Sequence, residues 1–150
     1  MSFELVSFIS NSDGSPTAVN ARYLSTSSSI TSTDAAITFA TLDYDSHSAY
    51  SSGTYTVPVA GVYRINTACR VNAIYVANNL SQISIYVNGV QVSLVQRIAA
   101  ANMTALSVLL TDQINLNQND AVQIRGASSA SSPSYSASSV VNYFSIFKLP

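Results

Sequence analysis

The sequence predicts an all-β sandwich or barrel that is built from short strands. Three observations lead to this fold class: apolar and polar residues alternate, turn-forming residues separate the alternating runs, and helical periodicity is almost absent. The chain has 150 residues, which fits one domain with its own hydrophobic core. The one helix-friendly stretch, residues 98–103, is too short for an independent helix and lies between strand-like runs.

Residues 62–71 form the clearest predicted strand. Its apolar residues share one parity and its polar residues the other, as expected for a strand with one buried face. The apolar set is Tyr63, Ile65, Cys69 and Val71, and the polar set is Arg64, Asn66 and Arg70. Cys69 is the only cysteine, so we interpret it as a small buried hydrophobic side chain.

Asn88-Gly89 predicts a tight hairpin turn, because both residues adopt positive φ readily. The strand before this turn carries Ile83, Ile85 and Val87, and the return strand carries Val90, Val92 and Leu94. The next strand carries Leu106, Val108 and Leu110. A turn at residues 117–120 then leads to a strand with Val122 and Ile124.

The Ser/Ala-rich segment 126–139 shows no periodicity. We interpret it as a surface loop or a flexible hairpin tip. Tyr135 stands alone in this segment with nothing nearby in the sequence to pack on. It is therefore our candidate for a receptor-binding residue, because exposed tyrosines anchor many contacts.

The last predicted strand, residues 140–149, is apolar on both faces. Phe144 and Ile146 lie on one face, and the other carries Val141, Tyr143, Phe147 and Leu149. One face can pack into the core, and the second face needs another cover. The composition agrees, because 47% of residues are hydrophobic and only 9% are charged, against about 25% charged residues in ordinary domains. We therefore expect a neighbouring subunit on the second face.

Residues 1–17 differ from the rest, and we interpret them as an N-terminal arm and linker before a knob of residues 18–150. A turn-forming run at residues 11–16 follows the arm's apolar residues, which are Phe3, Leu5, Val6, Phe8 and Ile9. We expect these side chains to dock onto another protein. We expect no signal peptide, since no basic n-region or long apolar h-region is present. No apolar run approaches the roughly 18 residues of a membrane span, so no membrane insertion is expected.

The charge pattern and the polar residues exclude several functions. The net charge is -1 and the six Lys and Arg are scattered, which argues against nucleic-acid binding. Catalysis is not expected. The neighbours of the single histidine, His47, are Asp45, Ser46 and Ser48, which are adjacent in the sequence and do not build a triad by themselves. Asp43, Asp45 and His47 recur at every second position and are the candidate metal ligands. Calcium prefers six to eight oxygen ligands, so we expect no cofactor, with calcium as the alternative and a polar loop as the simpler interpretation.

Residues 53–63 carry a family resemblance. They read Gly-Thr-Tyr-Thr-Val-Pro-Val-Ala-Gly-Val-Tyr and resemble the central C1q-like motif G-x-[FY]-x-[VA]-P-x-x-G-x-[YF]. Supporting similarities lie at residues 37–45, 85–89, 116–122 and 144–147. Asn119 stands where the family usually has Gly, which a left-handed Asn tolerates, and Ile146 replaces a common Gly. The sequence thus resembles the C1q/TNF-like family over residues 18–149, without a collagen-like stalk.

The resemblance implies a ten-stranded C1q/TNF-like jelly-roll sandwich that forms a homotrimer. It places the first and last strands at the threefold axis, so the expected trimer interface is Val141, Tyr143, Phe147 and Leu149. Family members serve as recognition heads, including fibre knobs of bacteriophages. We expect a non-catalytic virion structural protein on the virion exterior, a fibre knob or capsid decoration that contacts a host-surface glycan or protein. The alternative is a soluble, extracellular or cell-surface C1q-like binding module, lectin-like or from a spore surface, unrelated to a virus.

Overall fold

The computed structural model describes residues 18–26 and 28–150, and this part of the chain contains twelve β-strands and no helix. The strands are β1 (Asn20–Thr26), β2 (Ala35–Ala36), β3 (Phe39–Asp45), β4 (Tyr50–Ser51), β5 (Thr54–Thr56), β6 (Gly61–Tyr75), β7 (Leu80–Val87), β8 (Val90–Ile98), β9 (Met103–Leu116), β10 (Ala121–Ser128), β11 (Ser131–Tyr135) and β12 (Tyr143–Lys148). The all-β prediction is confirmed. The resemblance implies ten strands, and two of the twelve, β2 and β4, are only two residues long. The predicted arm at residues 1–17 lies outside the described residues.

The strands form two antiparallel sheets. Sheet I has the order β3-β1-β12-β6-β9, and β11 also pairs with β6. Sheet II has the order β4-β5-β10-β7-β8, and β2 also pairs with β10. The first long strand and the last strand are neighbours in sheet I, where Ala21 pairs with Ile146. The sequence ends of the domain therefore meet in the middle of one sheet.

The core fills the space between the two sheets, and Phe144 on β12 lies at its centre. Its ring lies 5.9 Å from the Phe39 ring, 5.8 Å from the Tyr50 ring and 6.2 Å from the Tyr55 ring. Tyr55 and Tyr63, the two aromatics of the 53–63 motif, are fully buried. The motif thus supplies core side chains to both sheets, as its aromatic residues predict.

The alternation predicted for residues 62–71 is confirmed within the longer strand β6. Tyr63, Ile65 and Cys69 are buried, while Arg64 and Arg70 are exposed. Cys69 is a free thiol, and burial raises its pKa. A buried thiol with a raised pKa carries little reactive thiolate, so the structural interpretation of Cys69 is confirmed.

The predicted turns form as expected. Asn88 and Gly89 have φ values of 51° and 80° and join β7 to β8. Asn119, which replaces the family's Gly, has a φ of 71°, the left-handed conformation that Asn tolerates better than most residues. The Asn88 side-chain amide donates to Asp120 over 2.8 Å, and the Ala121 amide donates back to Asn88 over 2.9 Å. The two turns are thereby tied together.

The interpretation of residues 126–139 as a surface loop or a flexible hairpin tip is wrong for residues 126–128 and 131–135, whereas residues 136–139 lie outside any strand. β10 extends to Ser128, and residues 131–135 form β11, which pairs with β6. Small Ser and Ala side chains gave no apolar period, so periodicity could not reveal these strands. The expected exposure of Tyr135 is also wrong: its ring packs against both core clusters, and burial raises the pKa of its phenol. The basis for naming Tyr135 as a receptor-binding residue is therefore lost.

Candidate interaction surface

Strand β12 has two distinct faces, as its sequence predicts. Phe144 and Ile146 are buried between the sheets, at 1% and 0% exposure. Tyr143, Ser145 and Phe147 point away from the core and are half-buried. The outer face of β12 therefore presents two aromatic side chains on the open surface of sheet I.

These two aromatics line an open groove on the outer face of sheet I, with a volume of about 480 Å³. We call it the sheet I groove, and its lining residues are Arg22, Tyr44, Asn66, Leu109, Thr111, Tyr143, Ser145 and Phe147. They come from five neighbouring strands, namely β1, β3, β6, β9 and β12. Leu109 is 59% exposed, so a large apolar side chain lies open in the groove. Val62, on the next strand over, is exposed as well.

One end of the groove is held by Arg22. Its guanidinium lies 3.4 Å from the Asp43 carboxylate and 5.7 Å from the centre of the Tyr143 ring. Both partners of the ion pair are well exposed, and such surface pairs contribute about 0–1 kcal/mol. The pair therefore orients Arg22 and Tyr143 more than it stabilises the fold.

The floor of the groove is polar and ordered by hydrogen bonds between strands. The Thr111 hydroxyl donates to the Asn66 side chain over 3.1 Å, and Asn66 donates to Ser145 over 3.5 Å. These bonds join β9, β6 and β12 across the sheet. The surface thus combines apolar walls with a polar floor whose side chains are held by hydrogen bonds.

The sequence located this surface only in part. Tyr143 and Phe147 lie in the groove, whereas Val141 and Leu149 flank β12 and are half-buried outside the groove. Sequence reasoning missed Leu109. The signal for Leu109 was present, because Val108-Leu109-Leu110 is an unbroken apolar run and a strand must turn one of the three outward.

The candidate metal ligands do not converge. A bulge interrupts the pairing of β1 with β3, because Ala21 and Arg22 pair with Asp45 and Tyr44 while Tyr23 pairs with Leu42. Asp43 is the extra residue, so the expected two-residue period fails there. Asp43 pairs with Arg22, while Asp45 accepts hydrogen bonds from the Tyr23 hydroxyl over 2.9 Å and from the backbone amides of residues 47, 49 and 50. Among the described residues no group of three or more His, Cys, Asp or Glu side chains could hold a metal ion.

Among the described residues, the His47 ring hydrogen-bonds with one side chain, that of the neighbouring serine. Its Nδ1 lies 2.8 Å from the Ser46 hydroxyl, and Ser46 also bonds with the backbone of Asn20. In the part of the chain that the structure describes, no carboxylate hydrogen-bonds to the His47 ring. Ser46 thus holds the 46–49 turn against β1. The absence of catalysis stays a prediction.

No helix that could cross a membrane occurs in residues 18–26 or 28–150.

Comparison with known proteins identifies the fold. No protein-family model and no curated protein sequence matches the chain. Among solved structures, the chain is similar to murine APRIL in its crystal structure at pH 8.5, with a TM-score of 0.59 and 15% identity. The pH 8.0 structure of murine APRIL gives 0.58 and 14%. Each match covers 88% of this chain and 99% of the other. With two antiparallel sheets and no helix among the described residues, the chain has the C1q/TNF-like jelly-roll fold.

Proposed function

We propose that the protein is a non-catalytic, homotrimeric virion structural protein, a fibre knob or capsid decoration that contacts the host surface. In this trimer the outer face of sheet I meets the threefold axis. The observation that carries the proposal is the sheet I groove, where the exposed Leu109 and the half-buried Tyr143 and Phe147 lie together on the outer face of the sheet. Within the described chain only the inner face of β12 is packed under the other sheet. In the proposed trimer a neighbouring subunit covers the outer face.

Burial of the exposed side chains supports the trimer energetically. Leu109 and Val62 are 59% and 44% exposed in the single chain. Full burial of such a side chain contributes about 1.5–3 kcal/mol. A threefold interface joins two different patches, so each subunit presents a groove on one side and covers a neighbour's groove on the other.

The virion assignment rests on the family resemblance and on the arm. Fibre knobs of bacteriophages are among the members that the 53–63 motif resembles. The arm's apolar residues, from Phe3 to Ile9, would be the contacts with another virion protein. A chain with little charge and much Ser, Thr and Asn suits an exposed and durable particle surface.

The trimer is tested by light scattering coupled to size-exclusion chromatography. We expect a mass three times that of the 15.9 kDa chain. L109E places a charge at the threefold interface and should yield monomers, because an unpaired buried charge costs several kcal/mol. V90E is the matched control, since Val90 is 65% exposed at the start of β8 in sheet II. A monomeric wild-type protein, or equal behaviour of the two variants, would contradict the trimer.

The virion role is tested by deleting residues 1–15. The truncated protein should remain a soluble trimer but no longer incorporate into particles. Incorporation at the wild-type level would overturn the role of the arm. Binding of the free protein to intact cells, with no particle that carries it, would instead favour the cellular binding module.

A further inference from the structure

The outer face of sheet II carries a connected set of polar side chains that the proposed trimer does not use. We call it the sheet II network, and its members are Asp34, Gln82, Ser84, Tyr86, Gln96, Gln123 and Arg125. Six members lie on three adjacent strands, since Arg125 on β10 pairs with Ser84 on β7, and Gln82 on β7 pairs with Gln96 on β8. Asp34 lies just before β2 and covers Ser84, which is fully buried. Strands are spaced about 4.8 Å apart, so the network is about 10 Å wide.

Arg125 is fixed from two directions. Its Nε and one terminal nitrogen donate to the Gln123 side-chain oxygen over 3.3 and 3.1 Å, and its guanidinium lies 4.5 Å from the centre of the Tyr86 ring. A guanidinium has five N–H donors. Within the described residues no carboxylate lies within salt-bridge distance of Arg125, so donors remain for a ligand.

Asp34 supplies the complementary acceptor. Its carboxylate accepts from the Ser84 hydroxyl over 3.3 Å and more distantly from Gln82. Gln96 in turn donates to Gln82 over 2.8 Å. The Asp34 carboxylate also raises the pKa of the Tyr86 phenol, whose hydroxyl donates to the Gln91 side-chain oxygen over 3.3 Å. These side chains are ordered before any ligand arrives, which lowers the entropy cost of binding.

The network is electrically balanced, because Asp34 and Arg125 carry opposite charges. A charged ligand would meet one like charge, which is unfavourable. An uncharged ligand with several hydroxyl groups would find donors and acceptors together, as hydroxyls use both. Leu94, which is 44% exposed, pairs with Ser84 in the middle of the network and offers an apolar surface. Sugar rings have this combination of hydroxyl edges and an apolar C–H face.

We propose that the sheet II network binds a neutral hexose unit of a surface glycan. The biological setting rests on the proposed function, in which the knob contacts a host surface, but the site belongs to a single subunit. Trimer mass and sugar binding are therefore independent readouts. Sugar binding by a monomer would overturn only the trimer, and a trimer that binds no sugar would overturn only this site.

The experiment is an NMR titration of the full chain with glucose, galactose and mannose in turn. We expect one hexose to shift the side-chain amide signals of Gln82, Gln96 and Gln123 in a saturable way. Glucuronate, which adds a negative charge, and glycerol, which lacks the ring, should bind less well. Equal shifts with glycerol, or no saturable shift with any of the three hexoses, would overturn the proposal.

Two variants locate the binding. R125Q should weaken hexose binding about tenfold or more, because it removes the charge-assisted hydrogen bonds that the guanidinium donates. R97Q makes the same change at an exposed position on β8 and should bind like the wild type. Q96A keeps the fold and both charges, and should weaken binding a few-fold through loss of the Gln96 amide. Wild-type affinity in both R125Q and Q96A would contradict the site, as would an equal loss in R97Q.

Discussion

The two outer faces of the sandwich differ in chemistry although both are made of exposed antiparallel strands. The sheet I groove has aromatic and aliphatic walls around a small polar floor. The sheet II network consists of amide, hydroxyl and ionised side chains bonded to one another. The groove therefore gains from the removal of water, and the network is built to keep contact with polar groups. The difference concerns these two sites and not the whole faces, because β8 at the edge of sheet II also exposes Val90, Val92, Leu94 and Ile98. We infer from this difference that subunits pack through sheet I and that ligands meet sheet II.

Strand β12 gives the strongest test of which of its two faces packs into the core. F144A should lower the free energy of unfolding by about 3–5 kcal/mol, because it removes a fully buried aromatic ring. F147A removes a phenylalanine side chain from the outer face and should lower the free energy of unfolding by less than half as much. Denaturant unfolding over a wide range of protein concentrations measures both and separates folding from assembly. Similar losses for the two variants would mean that β12 does not have distinct faces.

The contrast between the two outer faces is tested by a matched pair of leucines. L109S should weaken self-association about tenfold or more, since burial of a leucine contributes about 1.5–3 kcal/mol. L94S makes the same change on sheet II and should leave self-association unchanged. Sedimentation equilibrium measures the association constant of each variant. An effect of L94S equal to that of L109S would place the interface elsewhere.

A smaller effect is expected where the two sheets meet through Tyr135. A Cβ at Gly126 would come within 2.5 Å of the Tyr135 hydroxyl oxygen. G126A should therefore lower stability by about 1–3 kcal/mol through overpacking. Y135F removes that oxygen and should restore part of the loss in the double variant. A double variant whose loss is the sum of the two single losses would show that Tyr135 does not lie against Gly126.

The smallest effect concerns the two turns that contain Asn88 and Asp120, and it depends on pH. Hydrogen bonds from the Asn88 side chain and the Asn117 backbone amide lower the pKa of Asp120. A lowered pKa stabilises the folded state above the unfolded value of about 3.9, and this contribution is lost as the pH falls through the folded value. N88A should therefore flatten the fall in stability below about pH 4. Thermal melts from neutral to acidic pH measure how stability changes with pH. The same pH dependence in N88A and in the wild type would contradict the role of Asn88 in lowering the pKa of Asp120.

Much of the fold could be predicted because short-range chemistry controls it. The strand at residues 62–71, the Asn88-Gly89 turn and the left-handed Asn119 follow from the preferences of single residues and from parity. The segment 126–139 could not be predicted, because Ser and Ala carry no apolar period and the strand forms only where β6 offers it a partner. Tyr135 was misplaced for the same reason.

The sequence by itself determined the fold class, the two apolar faces of β12 and the side chains that fill the core. Only the tertiary structure decided which exposed residues act together. Arg22, Tyr44, Asn66, Leu109 and Tyr143 lie far apart in the chain and become neighbours through the order of strands in sheet I. One bulge in the pairing of β1 with β3 separates Asp43 from Asp45. Pairing between distant strands depends on long-range register, which a local pattern does not contain.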